Sequence, residues 1–240
     1  MLDKYLNKIT CGDCYELIKE LPDNSVDCIY TDIPYLYDQG GGAKEPSPLD
    51  ERITQKRKEL AFISNGIDYS ILSEFKRVLK KVNLFIWCSK MQLLDILNWG
   101  GEHNTEILVW CKTNPQPSTN NVWLPDLEYC IYFREKGVPL NDGYEYKSKW
   151  YTSPINKRDK DTFEHPTIKP LPLVKRHLLH ATQPNDIVLD CFVGSGTTCI
   201  AAKDIGRQFI GFEIDEKWAK IANDRLENID ANGQMSLFAR

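Results

Sequence analysis

The sequence predicts an α/β fold built on a mostly parallel sheet, and two observations support this. Short apolar runs alternate with amphipathic stretches along the 240 residues, which is the pattern of successive βα units. The chain is 42% hydrophobic and is long enough to bury one sizeable core. We therefore expect a single domain over residues 1–240, with helices that connect neighbouring strands.

The individual elements follow from hydrophobic periodicity. Seven strands are predicted, at Lys8–Gly12, Val26–Asp32, Val82–Ser89, Thr105–Lys112, Leu127–Arg134, Asp186–Phe192 and Gln208–Asp215. Helical spacing of apolar residues is clearest in Tyr69–Lys80, Leu171–His180 and Glu216–Asn228. These helices supply the crossovers between strands.

Two stretches do not have the pattern of packed structure. Leu36–Ser64 begins with three consecutive glycines and two prolines and continues as a charged run, a composition typical of a mobile loop. Two interpretations of this loop are open, a lid over a site or a solvated insertion without a role. Lys136–Glu164 mixes Tyr and Trp with Lys and Arg, which suits stacking on bases and contact with phosphates.

Charge and cysteine content limit the classes of function. The net charge of −4 excludes a basic coat over the whole protein, yet residues 134–176 carry ten Lys or Arg against six Asp or Glu, so one basic face is expected. No apolar run is long enough to span a bilayer, and Met1–Thr10 lacks the apolar stretch of a signal peptide, so we expect a cytosolic protein with reduced cysteines. Cys11 and Cys14 have metal-ligand spacing but no second pair, so no metal is predicted.

A glycine-rich string near the end of the chain predicts a nucleotide-binding turn. In Asp190–Thr198 the aspartate ends a strand, and Gly194 and Gly196 allow a tight turn into a helix that begins near Thr197. Backbone N–H groups then face the ligand. The string matches neither a dinucleotide fingerprint, because it has Cys199 at the sixth position, nor a phosphate-binding loop with Gly-Lys-Ser/Thr.

An acidic residue follows this turn at the expected interval. Glu213 stands nineteen residues after Gly194, at the end of the next predicted strand. In nucleotide-binding folds an acidic residue at this place accepts hydrogen bonds from the ribose hydroxyls. The turn and the acid together indicate a site for a nucleoside-containing cofactor.

A second string, Thr31–Tyr35, lies near the start of the chain. It places the carboxylate of Asp32, a turn at Pro34 and the ring of Tyr35 at the end of an apolar run. Such a set can hold a flat polar ring by hydrogen bonds and stacking. The alternative is a purely structural role, in which Asp32 caps a helix and Tyr35 packs in the core.

Taken together and in this order, the strings resemble the amino-group DNA methyltransferases of the permuted beta class, in which the catalytic string precedes the cofactor string. Glu106–Pro115 resembles the strand block of that family ending in Trp-x-Lys-x-Asn. His165–Pro170 resembles the block that opens the cofactor half. The resemblance covers nearly the whole chain apart from the two irregular stretches.

The resemblance implies a Rossmann-like methyltransferase fold, with a mostly parallel seven-stranded sheet, helices on both faces and a circularly permuted order of elements. Residues 1–135 would form the catalytic half and 165–230 the cofactor-binding half. Residues 136–164 would be the target-recognition insertion and 231–240 a tail. In the permuted order the strand at Lys8–Gly12 completes the cofactor half.

The resemblance also implies roles for individual residues. S-Adenosyl-L-methionine would be the methyl donor, with no metal. In the catalytic string, the Asp32 carboxylate and the Ile33 carbonyl would accept the two hydrogens of an amino group, next to Pro34, while Tyr35 would stack on a flipped base. The family usually has proline where this chain has Ile33, and also where it has Cys191.

The cofactor-binding roles carried over in this way concern both ends of the chain. Asp13 would contact the adenine of the donor, a role compatible with an N-cap of a helix at Cys14–Leu21. Thr167 and Lys169 would lie near the methionine carboxylate, which needs a charged or hydrogen-bonding partner. The remaining cofactor-binding residues would be Asp190, Phe192, Gly194, Ser195, Gly196, Thr197, Thr198 and Glu213.

The aspartate that begins the catalytic string is typical of adenine-N6 enzymes, whereas cytosine-N4 enzymes mostly have serine. We therefore expect a site-specific enzyme of the restriction-modification type that methylates adenine N6 in double-stranded DNA. The alternatives are methylation of cytosine N4, or of an amino group on RNA or another planar substrate, and a catalytically inactive nucleotide-binding or DNA-binding protein. A homodimer would supply further DNA contacts. Gln234–Phe238 resembles the short peptides that bind bacterial sliding clamps, and we expect the tail either to do so or to pack on the sheet.

Overall fold

The computed structural model describes residues 2–36, 66–115, 123–155 and 168–228. Most of the predicted loop, Thr167, the second part of the predicted insertion and the clamp-like segment lie outside these ranges. The elements in chain order are β1 (Lys8–Cys11), α1 (Cys14–Leu17), β2 (Cys28–Asp32), α2 (Ile71–Val78), β3 (Asn83–Cys88), α3 (Leu93–Trp99), β4 (Asn104–Lys112), β5 (Leu127–Arg134), β6 (Trp150–Ser153), α4 (Leu171–Ala181), β7 (Ile187–Asp190), α5 (Thr197–Asp204), β8 (Gln208–Glu213) and α6 (Glu216–Glu227).

The described strands form one sheet with the order β1-β8-β7-β2-β3-β5-β4-β6. Only β5 runs against its neighbours, β3 and β4, and every other pairing is parallel. All seven predicted strands are present, and the mostly parallel α/β fold is confirmed. Because parallel strands end at the same edge of a sheet, the carboxyl ends of β1, β2, β7 and β8 lie side by side.

The count of seven strands was wrong, because the sheet has an eighth strand in the described residues. β6 lies within the predicted insertion and pairs in parallel with the last four residues of β4, from Val109↔Trp150 to Lys112↔Ser153. It is an edge strand whose side chains are exposed or half-buried, so it lacks the buried apolar residues that mark the other strands in the sequence.

The permuted order of the cofactor half is confirmed by the pairing of β1. This strand docks in parallel on β8, with Cys11 opposite Glu213. The backbone N–H of Gly12 continues the pairing and donates to the carbonyl of Glu213 at 2.8 Å. The two ends of the chain therefore build one edge of the sheet.

Helices pack on both faces of the sheet, as predicted. On one face α2 buries the apolar stripe of Ile71, Leu72, Phe75 and Val78. On the other face α4, α5 and α6 cover the strands, and residues 199–202 of α5 are buried in the same core. Fully burying a Leu, Ile or Phe side chain contributes about 1.5–3 kcal/mol, so these two layers hold the strand ends in place.

The structure bears on the state of the cysteines and on membrane-spanning helices. All eight cysteines are free thiols, and those of β3 and β5 are buried. Within the described ranges no helix is long and apolar enough to cross a bilayer.

Candidate active site

A cavity of about 300 Å³ opens at the carboxyl edge of the sheet, at the ends of β1, β2, β7 and β8. Both strings singled out from the sequence line it. The predicted residues that line the cavity are Asp13, Asp32, Ile33, Pro34, Tyr35, Lys169, Asp190, Phe192, Gly194, Ser195, Thr197, Thr198 and Glu213. Gly196 does not line it and is the N-cap of α5, and Thr167 lies outside the described residues.

Strand pairing explains how segments 160 residues apart meet. β2 and β7 are neighbours and run in parallel, with Cys28 opposite Val188. Their last residues, Asp32 and Asp190, therefore reach the same edge. The hydroxyl of Thr31 joins them further, because it donates to Asp190 Oδ1 at 2.9 Å.

Asp32 is held by a lysine that the sequence assigned to the cofactor. The Lys169 ammonium lies 2.5 Å from Asp32 Oδ2. Burial raises the pKa of the Asp32 carboxyl, and the Lys169 charge opposes this shift. Asp32 Oδ1 is buried and has no hydrogen-bond partner among the described residues. A buried acceptor of this kind fits a site that takes up a hydrogen-bond donor, such as an amino group.

Two further charged residues belong to this cluster, and the sequence did not indicate them. Glu128, at the start of β5, accepts from Lys169 at 2.9 Å and from Lys112 of β4 at 2.7 Å. Burial opposes its ionisation, but the two ammonium groups outweigh burial and lower the pKa of Glu128 to about 2. Lys112 falls in the strand block that resembled the family, yet nothing in the spacing pointed to its partner.

Tyr35 closes the cluster on the cavity side. Its hydroxyl accepts from Lys169 at 3.1 Å and donates to Glu128 Oε2 at 3.3 Å. The ammonium of Lys169 also lies 5.3 Å from the centre of the Tyr35 ring. The ring is therefore fixed beside the Asp32 carboxylate, where a planar substrate can stack.

The turn after β2 is braced by β3 and the residues that follow it. The N–H of Ile33 donates to the carbonyl of Trp87 at 3.2 Å, a bond that proline, the residue usual at this place, cannot make. The side-chain amide of Gln92 donates to the carbonyl of Pro34 at 3.0 Å, and the Ser89 backbone N–H donates to Gln92 Oε1 at 3.1 Å. The sequence did not indicate Gln92, which is fully buried.

The glycine turn carries the geometry expected of it. Gly194 and Gly196 have φ of 52° and 89°, a region that favours glycine. The N–H of Gly194 donates to Glu213 Oε2 at 2.6 Å, and the N–H of Asp215 donates to Oε1 at 3.0 Å. Burial raises the pKa of Glu213, against these two hydrogen bonds. Each oxygen of the carboxylate keeps a lone pair for a further donor such as a ribose hydroxyl.

Two aspartates flank this turn and have structural roles of their own. Asp190 accepts from the N–H of Phe192 at 3.1 Å in addition to Thr31, and burial raises the pKa of its carboxyl to about 7. Asp13 caps α1 by accepting from the N–H of Tyr15 at 2.9 Å, and it also lines the cavity. The cap interpretation of Asp13 is therefore correct and leaves its contact with a ligand open.

The residues fit a bound S-adenosyl-L-methionine. A glycine turn, an acid after the next strand and the rings of Phe192 and Trp218 line one end of the cavity. Among the residues described, no group of three or more His, Cys, Asp or Glu side chains is arranged to hold a metal ion.

Comparisons with known proteins agree with this geometry. Residues 26–224 match the family model described as DNA methylase, of the N6/N4 amino-methyltransferases. The chain is 30% identical to the type II methyltransferase M.HinfI of Haemophilus influenzae, over 96% of this chain and 71% of that protein. It is 29% identical to the type II methyltransferase M2.DpnII of Streptococcus pneumoniae, over 95% of this chain and 93% of that protein.

Solved structures give the same result. The M1.HpyAVI complex with SAM, the methyl donor, superposes with a TM-score of 0.66 at 26% identity, over 91% of this chain and 99% of that one. The cytosine-N4-specific PvuII methyltransferase shares the fold, with a TM-score of 0.65 at 15% identity over 90% of this chain and 84% of that one. On the match over residues 26–224, the chain belongs to the N6/N4 DNA methylase family, whose members transfer a methyl group from S-adenosyl-L-methionine to an amino group of a DNA base.

Proposed function

We propose that the chain methylates the N6 amino group of adenine in double-stranded DNA, as a site-specific enzyme. The observation that carries the proposal is that Asp32 and the Gly194 turn line one cavity. A base held at Asp32 and a donor held at the turn would then face each other within that cavity. Residues 1–135 would act as the catalytic half and 165–230 as the cofactor half.

The proposed chemistry depends on positioning more than on a strong base. The lone pair of an exocyclic amino group is delocalised into the ring, and two acceptors on its hydrogens favour a pyramidal nitrogen. Asp32 would be one acceptor and the carbonyl of Ile33 the other. Bound S-adenosyl-L-methionine supplies a methyl group activated by its sulfonium. As the new N–C bond formed and the S–C bond broke, S-adenosyl-L-homocysteine would leave and the amino nitrogen would pass one proton to the Asp32 carboxylate that accepts its hydrogen bond. Alignment alone can lower the barrier by about 7 kcal/mol or more.

The substrate base must leave the duplex to reach this site, because a stacked adenine does not expose its amino group to Asp32. Tyr35 lies beside Asp32 and would stack on the extruded base. Asp32 as the first residue of the string supports adenine over cytosine. The family model covers both N6 and N4 enzymes, so product analysis decides between them.

DNA contacts are proposed at the carboxyl edge of the sheet, around the cavity. β6 ends there, and the hydroxyl of Ser153 accepts from the Trp110 indole at 2.9 Å. In the described part of the insertion, Lys147 and Lys149 are paired with Asp142 and Glu106, whereas the Tyr144 side chain is 91% exposed. Tyr144 would therefore stack on bases, and residues 136–164 as a whole would recognise the target sequence.

Two further partner assignments stay predictions. A homodimer would widen the surface that contacts DNA. Gln234–Phe238 would bind a sliding clamp, and a pull-down with purified clamp that compares the full chain with one lacking the last seven residues tests this. Equal retention of both proteins would contradict it.

The enzymatic proposal is tested by incubating the protein with radiolabelled S-adenosyl-L-methionine and mixed-sequence duplex DNA, followed by digestion and separation of nucleosides. The expected product is N6-methyldeoxyadenosine. Labelled N4-methyldeoxycytidine would replace the adenine proposal with the alternative specificity. Donor binding without any transfer to DNA would instead show a catalytically inactive binding protein.

A further inference from the structure

The cluster around Lys169 contains two carboxylates and two ammonium groups in a row. Its order is Lys112, Glu128, Lys169 and Asp32, with successive separations of 2.7, 2.9 and 2.5 Å. The side chains of the two inner members are 14% and 6% exposed. Opposite charges alternate, so the row is neutral as a whole, which is the condition for burying charged groups.

Lys169 has no donor left over in this arrangement. An ammonium group has three N–H donors, and Lys169 directs them to Asp32 Oδ2, Glu128 Oε2 and the Tyr35 hydroxyl. Glu128 thus shares the lysine with Asp32. Without Glu128, the Lys169 ammonium would have Asp32 as its only anionic partner among these described residues. It would then occupy more of the acceptor positions on the Asp32 carboxylate.

Glu128 does not line the cavity, whereas Asp32, Tyr35 and Lys169 do. Its effect on a substrate must therefore act through these three residues. Lys112 accompanies it on the neighbouring strand β4, where Lys112 and Glu128 flank the end of the β4–β5 pairing. Glu128 lies in none of the blocks that resemble the family motifs, and Lys112 lies in one of them, Glu106–Pro115, without an assigned role.

We propose that Glu128 is a positioning residue for methyl transfer: Lys169 favours the charged form of Asp32, and Glu128, by sharing that lysine, leaves the Asp32 carboxylate acceptor positions for the amino group. Oδ1 of Asp32, which has no partner among the described residues, is one such position. The proposal rests on the function proposed above and names a residue that tunes the same site. Lys112 acts with Glu128 as its counterion.

The sign of the electrostatic effect follows from the charges that face Asp32. The negative charge of Glu128 raises the pKa of Asp32, and the positive charge of Lys169 lowers it. Removing the charge of Glu128 should therefore move the titration of Asp32 to lower pH, and removing the charge of Lys169 should move it to higher pH. The other titratable groups around Asp32 on neighbouring elements are Tyr30, Tyr35, Cys88, Lys112, Cys130 and Asp190.

The test compares Glu128→Gln and Lys169→Met with the unaltered protein. Carbon-13 labelling of aspartate lets the Asp32 carboxyl titration be followed by NMR without substrate, with Asp32→Asn identifying its signal. We expect opposite shifts, to lower pH for Glu128→Gln and to higher pH for Lys169→Met. With DNA and donor, Glu128→Gln should lower kcat by about 10²-fold, as small displacements at a reacting centre do, with KM for both substrates unchanged.

Two control variants separate this role from general damage. Glu106→Gln removes a carboxylate of the same sheet that pairs with Lys149 on the surface, and it should leave the Asp32 titration and kcat as they are. Glu128→Asp keeps the charge and should return the titration toward that of the unaltered protein. Thermal unfolding of each variant verifies that it is folded.

The outcomes also distinguish this proposal from the enzymatic one. An Asp32 titration that stays in place or moves to higher pH in Glu128→Gln would overturn the positioning role, even in an active DNA methyltransferase. Unchanged kcat in Glu128→Gln would overturn it as well. Opposite titration shifts in a protein that transfers no methyl group would support the coupling and contradict the proposed function.

Discussion

At the scale of single residues, the site depends on carboxylates kept in different states by different surroundings. Glu128 lies between two ammonium groups and ionises readily, whereas Asp190 is buried among hydrogen-bond donors and burial raises its pKa to about 7. Asp32 lies between these cases, with one lysine partner. Local environment therefore gives one functional group, the carboxylate, different states: a counterion at Glu128, a buried acid at Asp190 and, in the function proposed above, a substrate ligand at Asp32.

Asp32→Asn tests the role of the substrate ligand. The amide keeps the size of the side chain but replaces one acceptor oxygen by a donor and removes the charge, so we expect kcat to fall by about 10² to 10⁴. Donor binding, measured by calorimetry, should change little, because the glycine turn and Glu213 are untouched. Near-normal kcat in this variant would show that Asp32 does not hold the amino group.

Asp190→Asn tests how the raised pKa of Asp190 affects the stability of the protein without ligand. The unfolded carboxyl has a pKa of about 3.9, and the folded value is about 7. Between these values the folded protein binds more protons, so the contribution of Asp190 to the free energy of unfolding falls as pH rises from about 4 to about 7 and is constant above that. The asparagine still accepts from Thr31 and Phe192 but does not titrate.

The measurement is urea unfolding of both proteins at a series of pH values. The free energy of unfolding of the original protein minus that of Asp190→Asn should decrease across this range by a few kcal/mol, of the order set by about 1.4 kcal/mol per pKa unit. A difference that does not depend on pH would mean that Asp190 titrates alike in the folded and unfolded protein.

At the scale of elements, the turn between β7 and α5 is set by close approach as well as by backbone angles. A Cβ on Gly196 would lie 3.0 Å from the Cβ of Ala222 in α6. Gly206 also has positive φ, at 74°, but a Cβ there would meet no atom within 4 Å. A substitution at Gly206 would therefore cause backbone strain alone, whereas one at Gly196 would add a steric contact.

Gly196→Ala and Gly206→Ala form a matched pair for this turn. Both should lose about 1–2 kcal/mol from the left-handed backbone conformation. Gly196→Ala should lose a further amount of about 1–3 kcal/mol from overpacking against α6 and should bind the donor more weakly, since the turn moves. Urea unfolding and calorimetric titration measure these effects, and equal losses in the two variants would rule out the contact with Ala222 as a determinant.

The elements that the sequence predicted are those whose signal is local. Alternating apolar runs identified seven strands, and helical spacing identified α2, α4 and α6. β6 and α3 were not predicted, because β6 has no buried side chain and α3 buries only Ile96, so neither carries a clear apolar pattern. The two strings of the site were found because each lies at a strand end, while Glu128 was missed because its partners come from β4 and from the segment before α4.

At the scale of the whole molecule, the cavity is assembled from both ends of the chain. β1 pairs with β8, and the side-chain oxygen of Asn7 accepts from the N–H of Phe209 at 3.2 Å. Asp13 at the end of β1 and Glu213 at the end of β8 then line the same cavity as the Gly194 turn. A ligand that contacts these residues would stabilise contacts between segments 200 residues apart in sequence, and with them the fold as a whole.

This arrangement predicts that donor binding stabilises the protein against global unfolding and that Glu213 carries much of the effect. At a concentration of one hundred times Kd, a ligand that binds only the folded state adds about 2.7 kcal/mol. Glu213→Ala removes a carboxylate acceptor, worth about 1.5–3 kcal/mol, so its Kd should rise by about ten- to a hundredfold and the added stability at the same donor concentration should fall to about 0.4–1.4 kcal/mol. Glu216→Ala is the control, because Glu216 is exposed on α6 three residues further on and does not line the cavity. Thermal unfolding with and without donor measures both variants, and full stabilisation of Glu213→Ala by the donor would exclude Glu213 as a ligand of the ribose.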